Sequence, residues 1–342
     1  DVYKRQIHHP ITRWLLGAAV CTLLAPAMAA DDTGPVAIAI HAGAGTIERE
    51  NLSPELEAKI RTKLGEAARA GHDVLTGGGT ALDAVTRAVT LLEDAPYFNA
   101  GRGAVFNAEG QNELDASIMD GATLNAGAVA GVHNVRNPVL LARKVMTDSV
   151  HVMLIGAGAE AFGRRHGIAF EDDAYFYTER RWQQLERARA RASESAMAAR
   201  PDTWLSTVGA VALDASGDLA AATSTGGMTN KQWGRVGDVP VIGAGTYADN
   251  ASCAVSATGH GEYFIRATAA RDICARVQYT GASLEAAADQ VVMQKLVQMG
   301  GSGGIIAVAP NGDISLTFNT PGMYRASVDT GGSVYVGIYD DE

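Results

Sequence analysis

The stretch Thr207-Val-Gly-Ala-Val-Ala-Leu-Asp-Ala-Ser-Gly-Asp-Leu-Ala-Ala-Ala-Thr-Ser-Thr225 contains two short apolar runs that are separated by a turn sequence. The runs, 207–213 and 219–225, are bounded by polar and glycine residues, as strands commonly are. The residues between them, 214–218, are typical of a five-residue hairpin loop. The stretch therefore predicts two antiparallel strands.

Similar patterns flank this hairpin. Downstream, the sequence predicts helices near 262–279 and 283–299 and a second hairpin, 305–309 with 314–318, which turns at Pro310-Asn-Gly-Asp313. Upstream, Val36–Ile40 is an apolar run that leads into the glycine turn His41-Ala-Gly-Ala-Gly45.

Two helices should follow that glycine turn. Ser53 can cap the first helix, with Pro54 at its first position, and Gly77–Gly79 end it. Thr80 and Asp83 form a capping box for the second helix, which stops at Pro96.

The segment 97–135 reads as short strands joined by tight turns, among them Gly103–Phe106 and Ala126–Ala130. A helix from Asn137-Pro138 to Met146 and a strand from Val150 to Ile155 come next. Helices follow strands in both halves, and the second half contains antiparallel hairpins, so the fold class is α+β rather than a parallel doubly wound sheet. Charged residues and alanines dominate near the end of this half, and we interpret 190–206 as a mobile linker.

Composition and charge restrict the function. The chain has 342 residues, of which 47% are hydrophobic, and its net charge is −10. It contains no basic stripe of the kind that phosphate backbones require, so we expect no nucleic-acid partner. Cys253 and Cys274 could form a disulfide, but buried free thiols are the commoner outcome for such a pair in a chain of this size.

The first 30 residues have the features of a signal peptide. Basic residues precede an apolar run from Trp14 to Leu24, and Ala27-Met-Ala29 supplies the small-x-small pattern of a cleavage site. The run is too short for a permanent membrane span, and Val20 disfavours lipidation at Cys21. We therefore expect an exported, periplasmic protein with no membrane contact after residues 1–30 are removed. These residues hold three basic and one acidic side chain, so without them the net charge of −10 becomes about −12.

Residues 223–238 form the densest candidate site. Hydroxyls, glycines, one guanidinium and one carboxylate lie within this stretch, directly after a predicted strand. Arg235 and Asp238 could bind the carboxylate and the amino group of an amino acid, because their charges match those of a zwitterion. A surface loop with a solvated ion pair is an equally good interpretation of the spacing.

Thr258-Gly-His-Gly-Glu262 is a second polar loop, which opens a helix and could stabilise an oxyanion through its N–H groups. A simple capping turn is the alternative. His41, His260 and Glu262 could suggest a metal site, but the sequence has no paired histidine spacing or cysteine cluster to support one.

A series of motifs along the chain resembles those of one protein family. Between about residue 36 and residue 339 the chain resembles the isoaspartyl peptidase and plant-type asparaginase family. The motifs that carry this resemblance occur in order along the chain, and they are Phe98-Asn-Ala-Gly-Arg-Gly-Ala-Val-Phe106, Glu113-Leu-Asp-Ala116, Met119-Asp-Gly121, Ala126-Gly-Ala-Val-Ala-Gly131, Arg136-Asn-Pro-Val139, Ser206-Thr-Val-Gly-Ala-Val-Ala-Leu-Asp214, Thr223-Ser-Thr-Gly-Gly227, Gly234-Arg-Val-Gly-Asp238 and Gly301-Ser-Gly-Gly304.

The resemblance implies an N-terminal-nucleophile hydrolase with a four-layer αββα sandwich. Such a chain cuts itself between Ser206 and Thr207, giving an α chain of 31–206 and a β chain of 207–342 in one domain, and two αβ units form a homodimer. The expected substrates are isoaspartyl dipeptides and L-asparagine, and no cofactor takes part in the reaction. The chemistry agrees with this, because cleavage gives Thr207 a free α-amine with a pKa of about 8, which can accept the proton of its own hydroxyl.

The resemblance also assigns roles to individual residues. Thr225 would hydrogen-bond the nucleophile, Asn99 would lie near it, and Thr258 and Gly259 would hold the oxyanion. Gly227 and Gly261 would touch the substrate, Arg235 would bind its α-carboxylate and Asp238 its α-amine. The corresponding loop of relatives binds a structural sodium ion through backbone carbonyls, which here would be those of Leu92, Glu93, Ala95, Phe98, Ala100 and Arg102.

Two positions depart from the family pattern. Ser206 replaces a glycine before the nucleophile, which predicts slower cleavage, and Ala42 replaces the first glycine of the usual His-Gly-Gly-Ala-Gly.

Two other functions remain as alternatives, a glycosylasparaginase and an exported amino-acid-binding protein without turnover. The Thr207-Val-Gly-Ala210 and Gly234–Asp238 motifs favour the peptidase, and a binding protein would not need a threonine after a disposable linker.

Overall fold

Two β-sheets form the centre of the structure, a computed structural model that describes residues 34–194 and 207–342. The strands are β1 (Ala37–Gly45), β2 (Leu114–Asp120), β3 (Ala126–Val132), β4 (Met153–Ile155), β5 (Val208–Leu213), β6 (Leu219–Thr225), β7 (Thr246–Asp249), β8 (Cys253–Gly259), β9 (Gly303–Val308), β10 (Ile314–Ser315), β11 (Gly322–Val328) and β12 (Val334–Tyr339). The larger sheet has eight strands in the order β12-β11-β1-β5-β6-β2-β3-β4, and the smaller has four in the order β10-β9-β8-β7. The segments before and after the proposed cleavage site thus share one sheet, because β1 pairs with β5.

Helices lie outside the two sheets. They are α1 (Pro54–Thr76), α2 (Ala81–Glu93), α3 (Pro138–Asp148), α4 (Gly156–Arg165), α5 (Asp173–Phe176), α6 (Glu179–Glu194), α7 (Gly261–Ala267), α8 (Ala269–Thr280), α9 (Leu284–Asp289) and α10 (Val297–Met299), and the π-helical turn Gln290–Leu296 joins the last two. Within the described residues, no helix is both long and apolar enough to cross a membrane.

Three apolar cores separate four layers. One core lies between α1, α2 and α3 and the larger sheet, a second lies between the two sheets, and a third lies between the smaller sheet and α7, α8 and α9. Each sheet therefore buries both of its faces. The predicted α+β class and the αββα sandwich are confirmed.

The strongest local signals form the elements that they predict. Ser53 Oγ accepts a hydrogen bond from the amide of Leu56 at the start of α1, and Thr80 Oγ1 accepts one from the amide of Asp83 at the start of α2. The hairpin of β5 and β6 closes with Leu213 opposite Leu219.

Other predicted elements differ in extent. The glycine motif His41–Gly45 is not a turn but the continuation of β1, with a shift of register between His41 and Ala44 that uses the positive φ of Gly43. Gly103–Phe106 is not a strand, because Gly101–Gly103 coils into a 3₁₀ turn. The predicted helix 262–279 is broken at Thr268, which adopts a left-handed conformation.

The linker and disulfide predictions also need correction. Helix α6 continues to Glu194, so 190–194 are helical, which agrees with the high helix propensity of alanine and arginine. Residues 195–206, including Ser206, and the segment 1–30 lie outside the described residues. Cys253 and Cys274 are not free thiols but form a disulfide with a Cα–Cα distance of 5.3 Å. It joins the start of β8 to α8 and so links the smaller sheet to its outer helices.

Successive side chains of a strand point to opposite faces of the sheet, and this alternation explains why polar groups lie together between the sheets. On β5 and β6, Val208 and Ala222 face the helices, whereas Val211 and Ala221 face the other sheet. Side chains an even number of residues from the latter two therefore also point between the sheets. This set contains Thr207, directly before β5, and Thr223 and Thr225 on β6.

Candidate active site

Thr207 lies directly before β5, next to the end of β6. Its Oγ1 donates a hydrogen bond to Thr225 Oγ1 over 3.1 Å, and only 7% of Thr207 is exposed. Thr225 Oγ1 also accepts a hydrogen bond from the amide of Gly227 over 3.0 Å. The antiparallel pairing of the hairpin thus places the hydroxyl predicted as nucleophile against its predicted partner.

A buried histidine holds the backbone of Thr207. His41 Nδ1 donates to the Thr207 carbonyl over 2.8 Å, and Nε2 lies 2.8 Å from Ser256 Oγ. Burial lowers the pKa of His41 to about 3, so the ring is neutral and Nε2 accepts the hydroxyl proton of Ser256. Gly209 makes room for this pair, because a Cβ there would lie 2.0 Å from Ser256 Oγ and 2.5 Å from His41 Nε2.

Hydroxyl groups extend this contact across the space between the sheets. Ser256 Oγ lies 2.7 Å from Thr223 Oγ1, Thr246 Oγ1 lies 2.6 Å from Thr223 Oγ1, and Ser117 Oγ lies 2.7 Å from Thr246 Oγ1. Ser117 Oγ also contacts the carbonyl oxygen of Val239, the residue after Asp238. One buried polar network therefore connects the Thr207 backbone to the segment that carries the predicted amine-binding residue.

A small cavity joins most of the predicted residues. Its lining is formed by Thr207, Thr225, Gly227, Met228, Arg235, Gly237, Asp238, Val239 and Gly259. The cavity has a volume of about 10 Å³, roughly the space of one water molecule. The cavity formed by the described residues is therefore smaller than an amino acid.

Arg235 forms a bidentate ion pair with Glu262, one of the three residues of the metal alternative. Arg235 Nε and Nη2 each donate to a carboxylate oxygen of Glu262 over 2.9 Å. The third guanidinium nitrogen, Nη1, points towards Gly237 and Gly227 instead. A Cβ built on Gly237 would lie 2.8 Å from Nη1, and one built on Gly227 would lie 3.5 Å from it. Glu262 therefore fixes the guanidinium while Nη1 faces the cavity.

Asp238 is buried beside this guanidinium but does not form an ion pair with it. Its Oδ2 has no hydrogen-bond partner among the described residues, and burial raises the pKa of Asp238 to about 7. The site thus contains a desolvated acceptor that would be stabilised by a cationic group. Gly261 lies close to both charged side chains. A Cβ at this position would lie 2.7 Å from Asp238 Oδ1 and 2.9 Å from Arg235 Nη2.

The remaining predicted residues surround the cavity. Asn99 Nδ2 donates to the carbonyl of Gly227 over 2.7 Å, and its Oδ1 accepts from the amide of Val105 over 2.8 Å. Thr258 is fully buried at the end of β8, and its Oγ1 accepts from the amide of Ala44 over 3.4 Å, which leaves its hydroxyl proton able to donate. Gly259 lines the cavity itself.

Sequence reasoning missed several supporting residues. Lys231 Nζ is buried against Gly227 and donates to the carbonyl of Glu113 over 3.1 Å. Lys231 lies inside the stretch 223–238 already singled out, but Glu113, Ser256 and the role of His41 depend on strand pairing. No short-range spacing could have revealed those contacts.

The loop predicted to bind sodium has a tightly folded backbone. A Cβ on Gly101 would collide with the Glu93 carbonyl oxygen, and one on Gly103 would collide with that of Phe98, so glycine is needed at both positions. The carbonyl of Ala100 accepts one amide hydrogen bond, from Gly103, and retains a second lone pair. Such neutral oxygen donors suit a hard monovalent cation.

The alternative metal interpretation of His41, His260 and Glu262 has no geometric basis. Both ring nitrogens of His41 form hydrogen bonds, one with the Thr207 carbonyl and one with Ser256 Oγ, while His260 lies 3.4 Å from Glu262. Across residues 34–194 and 207–342, no group of three or more histidine, cysteine or acidic side chains is placed to hold a metal ion.

A four-layer αββα sandwich with a threonine at the head of a central strand defines the class of N-terminal-nucleophile hydrolases. Within that class the chain belongs to the asparaginase family, whose sequence profile matches residues 34–338.

Relatives of this chain share most of its length. The isoaspartyl peptidase of Escherichia coli K12 is 52% identical over 313 residues, which cover 90% of this chain and 98% of the relative. The isoaspartyl peptidase of Salmonella typhimurium is 54% identical over 307 residues, covering 88% and 98%. The isoaspartyl peptidase/L-asparaginase of Xenopus laevis is 42% identical over 308 residues, covering 89% and 96%.

Proposed function

We propose that this protein is an autoprocessed amidohydrolase that cleaves β-aspartyl amide bonds, in isoaspartyl dipeptides and in L-asparagine, with Thr207 as nucleophile. The hydrogen bond from Thr207 Oγ1 to Thr225 Oγ1 carries the proposal, because it lies in the same cavity as Arg235 and Asp238. The relatives named as isoaspartyl peptidases support the substrate class.

Maturation precedes activity. In the uncut chain the α-nitrogen of Thr207 is an amide and cannot act as a base. The Thr207 hydroxyl attacks the Ser206 carbonyl, the acyl group moves from nitrogen to oxygen, and water then hydrolyses the ester. This frees the α-amine of Thr207 and gives Ser206 a new carboxylate.

Turnover then uses the same hydroxyl. The Thr207 amine takes the proton from Oγ1, which attacks the side-chain carbonyl of the substrate, and the resulting oxyanion is held by the Thr258 hydroxyl and the Gly259 amide. The amine returns the proton to the leaving nitrogen as the C–N bond breaks. Water then attacks the aspartyl ester, releasing aspartate and restoring the Thr207 hydroxyl. Thr225 orients Oγ1 throughout.

The substrate is recognised at both of its charged ends. Arg235 Nη1 binds the α-carboxylate and Asp238 binds the α-ammonium, while Gly227 and Gly261 allow the substrate to approach the backbone. A substrate with either end blocked leaves one buried charge unpaired, which costs several kcal/mol. Free β-aspartyl compounds should therefore react far faster than their blocked analogues.

The loop from Leu92 to Arg102 would hold a sodium ion through the backbone carbonyls of Leu92, Glu93, Ala95, Phe98, Ala100 and Arg102. The ion would order the loop and take no part in bond cleavage. Its effect would reach the site through Asn99, which contacts the carbonyl of Gly227.

Export and assembly complete the proposal. The basic residues and apolar run within 1–30 support removal of a signal peptide and a periplasmic location. The resemblance supports a dimer of αβ units, each with an α chain of 31–206 and a β chain of 207–342.

Intact mass and activity test the scheme together. Purified protein should contain two fragments, the second starting at Thr207, and should hydrolyse both β-Asp-Leu and L-asparagine. Thr207→Ala should remain uncut and inactive, whereas Thr207→Ser retains a hydroxyl and should still cleave. Normal processing of Thr207→Ala, or full activity of the uncut chain, would refute the proposal. An uncut chain that binds aspartate without turnover would identify a binding protein instead.

A further inference from the structure

A second cavity, away from the proposed active site, is unusually rich in arginine. It has a volume of about 320 Å³ and lies between α6 and the segment before α1. Its polar lining consists of Arg180, Arg181, Arg187, Arg191, Gln184 and Asn51. None of the described residues that line it carries a carboxylate.

Two of the residues that line this cavity have buried donors without acceptors. Arg181 is 2% exposed and Gln184 is 6% exposed. Arg181 Nε donates to the carbonyl of Gly103 over 2.8 Å, and Nη1 donates to Gln184 Oε1 over 3.0 Å. Arg181 Nη2 and Gln184 Nε2 have no hydrogen-bond partner among the described residues.

A buried guanidinium without a counter-ion is unfavourable. Burial, together with the neighbouring charge of Arg180, lowers the pKa of Arg181 well below its usual range. Arginine nevertheless keeps its proton in proteins, so the charge itself requires compensation. Within the described parts of the chain, no carboxylate lies within ion-pair distance of Arg180 or Arg181.

We propose that this cavity binds a small oxyanion, of the phosphate or carboxylate class. Arg181 Nη2 and Gln184 Nε2 are unpartnered N–H donors on two side chains that line the cavity, and charge-assisted bonds from guanidinium groups to such oxygens are among the stronger hydrogen bonds in proteins. Arg180 and Arg187 also line the cavity and are exposed, so their positive charges attract an anion. The volume lies at the lower end of the range for small-molecule sites, which suits a compact ion.

The same arginines support the loop beneath Asn99. Arg180 Nη2 donates to the carbonyl of Tyr97 over 3.1 Å, and Arg181 donates to that of Gly103. These two carbonyls flank Asn99. An anion in the cavity fixes both guanidinium groups and thereby stiffens residues 97–103, so hydrogen exchange of their amides should slow when the anion binds.

Isothermal titration calorimetry with inorganic phosphate tests the site. A parallel titration with acetate separates the phosphate and carboxylate sources, and sodium chloride at matched ionic strength is the blank. Removing a charge-assisted hydrogen bond should weaken binding by about tenfold or more, so Arg181→Met and Gln184→Leu should each raise the Kd by at least that factor. Arg189→Gln is the matched control, because it removes one positive charge from the same helix and Arg189 does not line this cavity.

The substrate site could also attract anions, so Arg235→Ala is included. The proposal requires that Arg235→Ala and Arg189→Gln keep the phosphate or acetate affinity while Gln184→Leu loses it, even if Arg181→Met fails to fold. Absence of saturable binding to the wild type, or loss of binding in Arg235→Ala alone, overturns it. None of these outcomes depends on amidohydrolase activity, so the anion site and the proposed function fail independently.

Discussion

His41 Nδ1 lies 2.8 Å from the carbonyl oxygen of Thr207, in the fully buried space between the two sheets. In the proposed cleavage before Thr207, this hydrogen bond and the connection to β5 would remain as restraints on the proposed nucleophile. His41 does not line the cavity, so we expect it to act as a positioning residue for Thr207.

Replacing His41 should impair the chemical step more than binding. We expect His41→Leu to lower kcat by about 10²-fold, because a small displacement of a reacting group can cost that much, while KM changes little. His41→Gln can still donate to the carbonyl and should recover part of the loss. Steady-state kinetics of the processed protein give both constants.

Gly209→Ala provides an independent check on this role. The new methyl group would lie 2.0 Å from Ser256 Oγ and 2.5 Å from His41 Nε2, so it should displace the ring and reproduce the low kcat. Unchanged kcat in both His41→Leu and Gly209→Ala would show that the hydrogen bond is only structural.

The pH dependence of ligand binding should report the ionisation of Asp238. Burial raises its pKa to about 7, so the carboxyl group is mostly protonated at pH 6 and mostly ionised at pH 8. Only the ionised form attracts an α-ammonium, so L-aspartate should inhibit more strongly as the pH rises from 6 to 8. Below the pKa the affinity should change by about tenfold per pH unit.

Succinate is the control for this titration, because it has no α-amine and is repelled by an ionised Asp238. Its inhibition should weaken over the same pH range. Asp238→Asn should remove both trends, and a wild-type profile in that variant would assign the titration to another group, such as the Thr207 amine.

Glu262 should control the strength of substrate binding through Arg235. It accepts two hydrogen bonds from the guanidinium, which leaves Nη1 towards the cavity. Glu262→Gln keeps the size of the side chain but loses the charge and one acceptor oxygen, so KM should rise several-fold while kcat stays within about twofold. Equal falls in kcat and kcat/KM would instead place Glu262 in the chemical step.

The contrast between Arg235 and Glu262 illustrates what the sequence could supply. The motif around Arg235 identified the guanidinium and the nearby Asp238, because both lie in one short loop after a strand. Glu262 is 27 residues away, and only the packing of α7 against that loop brings its carboxylate to 2.9 Å. The local sequence contains no signal for such a long-range ion pair.

In the fold, too, local features were predictable from the sequence and long-range features were not. Caps such as Ser53 and Thr80 act within four residues, so the sequence predicted α1 and α2 closely. The order of strands depends on pairing over long distances, such as that of β1 with β11, and the αββα arrangement was available only from the family resemblance. The disulfide was missed for the same reason, since spacing along the chain does not show that β8 and α8 are adjacent.

The disulfide between Cys253 and Cys274 should stabilise the part of the protein that follows Thr207. It closes a loop with a sequence separation of 21 residues, and such a cross-link contributes about 3 kcal/mol by restricting the unfolded chain. The double variant Cys253→Ala with Cys274→Ala should therefore unfold at lower denaturant concentration than the wild type. Dithiothreitol should lower the wild-type midpoint and leave the variant unchanged, and a reductant-insensitive wild type would contradict the prediction.

Thr225 should matter for turnover and not for folding. Its Oγ1 accepts hydrogen bonds from Thr207 Oγ1 and from the amide of Gly227, and Thr225→Val removes this acceptor while keeping the shape of the side chain. Without it the Thr207 hydroxyl loses its orientation towards the substrate carbonyl, so kcat should fall by about 10²- to 10³-fold, as for the loss of other groups that act on the reacting atoms. Thr225→Ser restores the oxygen and should recover most of the rate. Thermal unfolding and intact mass are measured alongside, because one buried hydrogen bond contributes only about 1 kcal/mol to stability. If Thr225→Val instead melts far below the wild type, or keeps full kcat after processing, then the bond between the two threonines serves the fold and the proposed role of Thr225 is wrong.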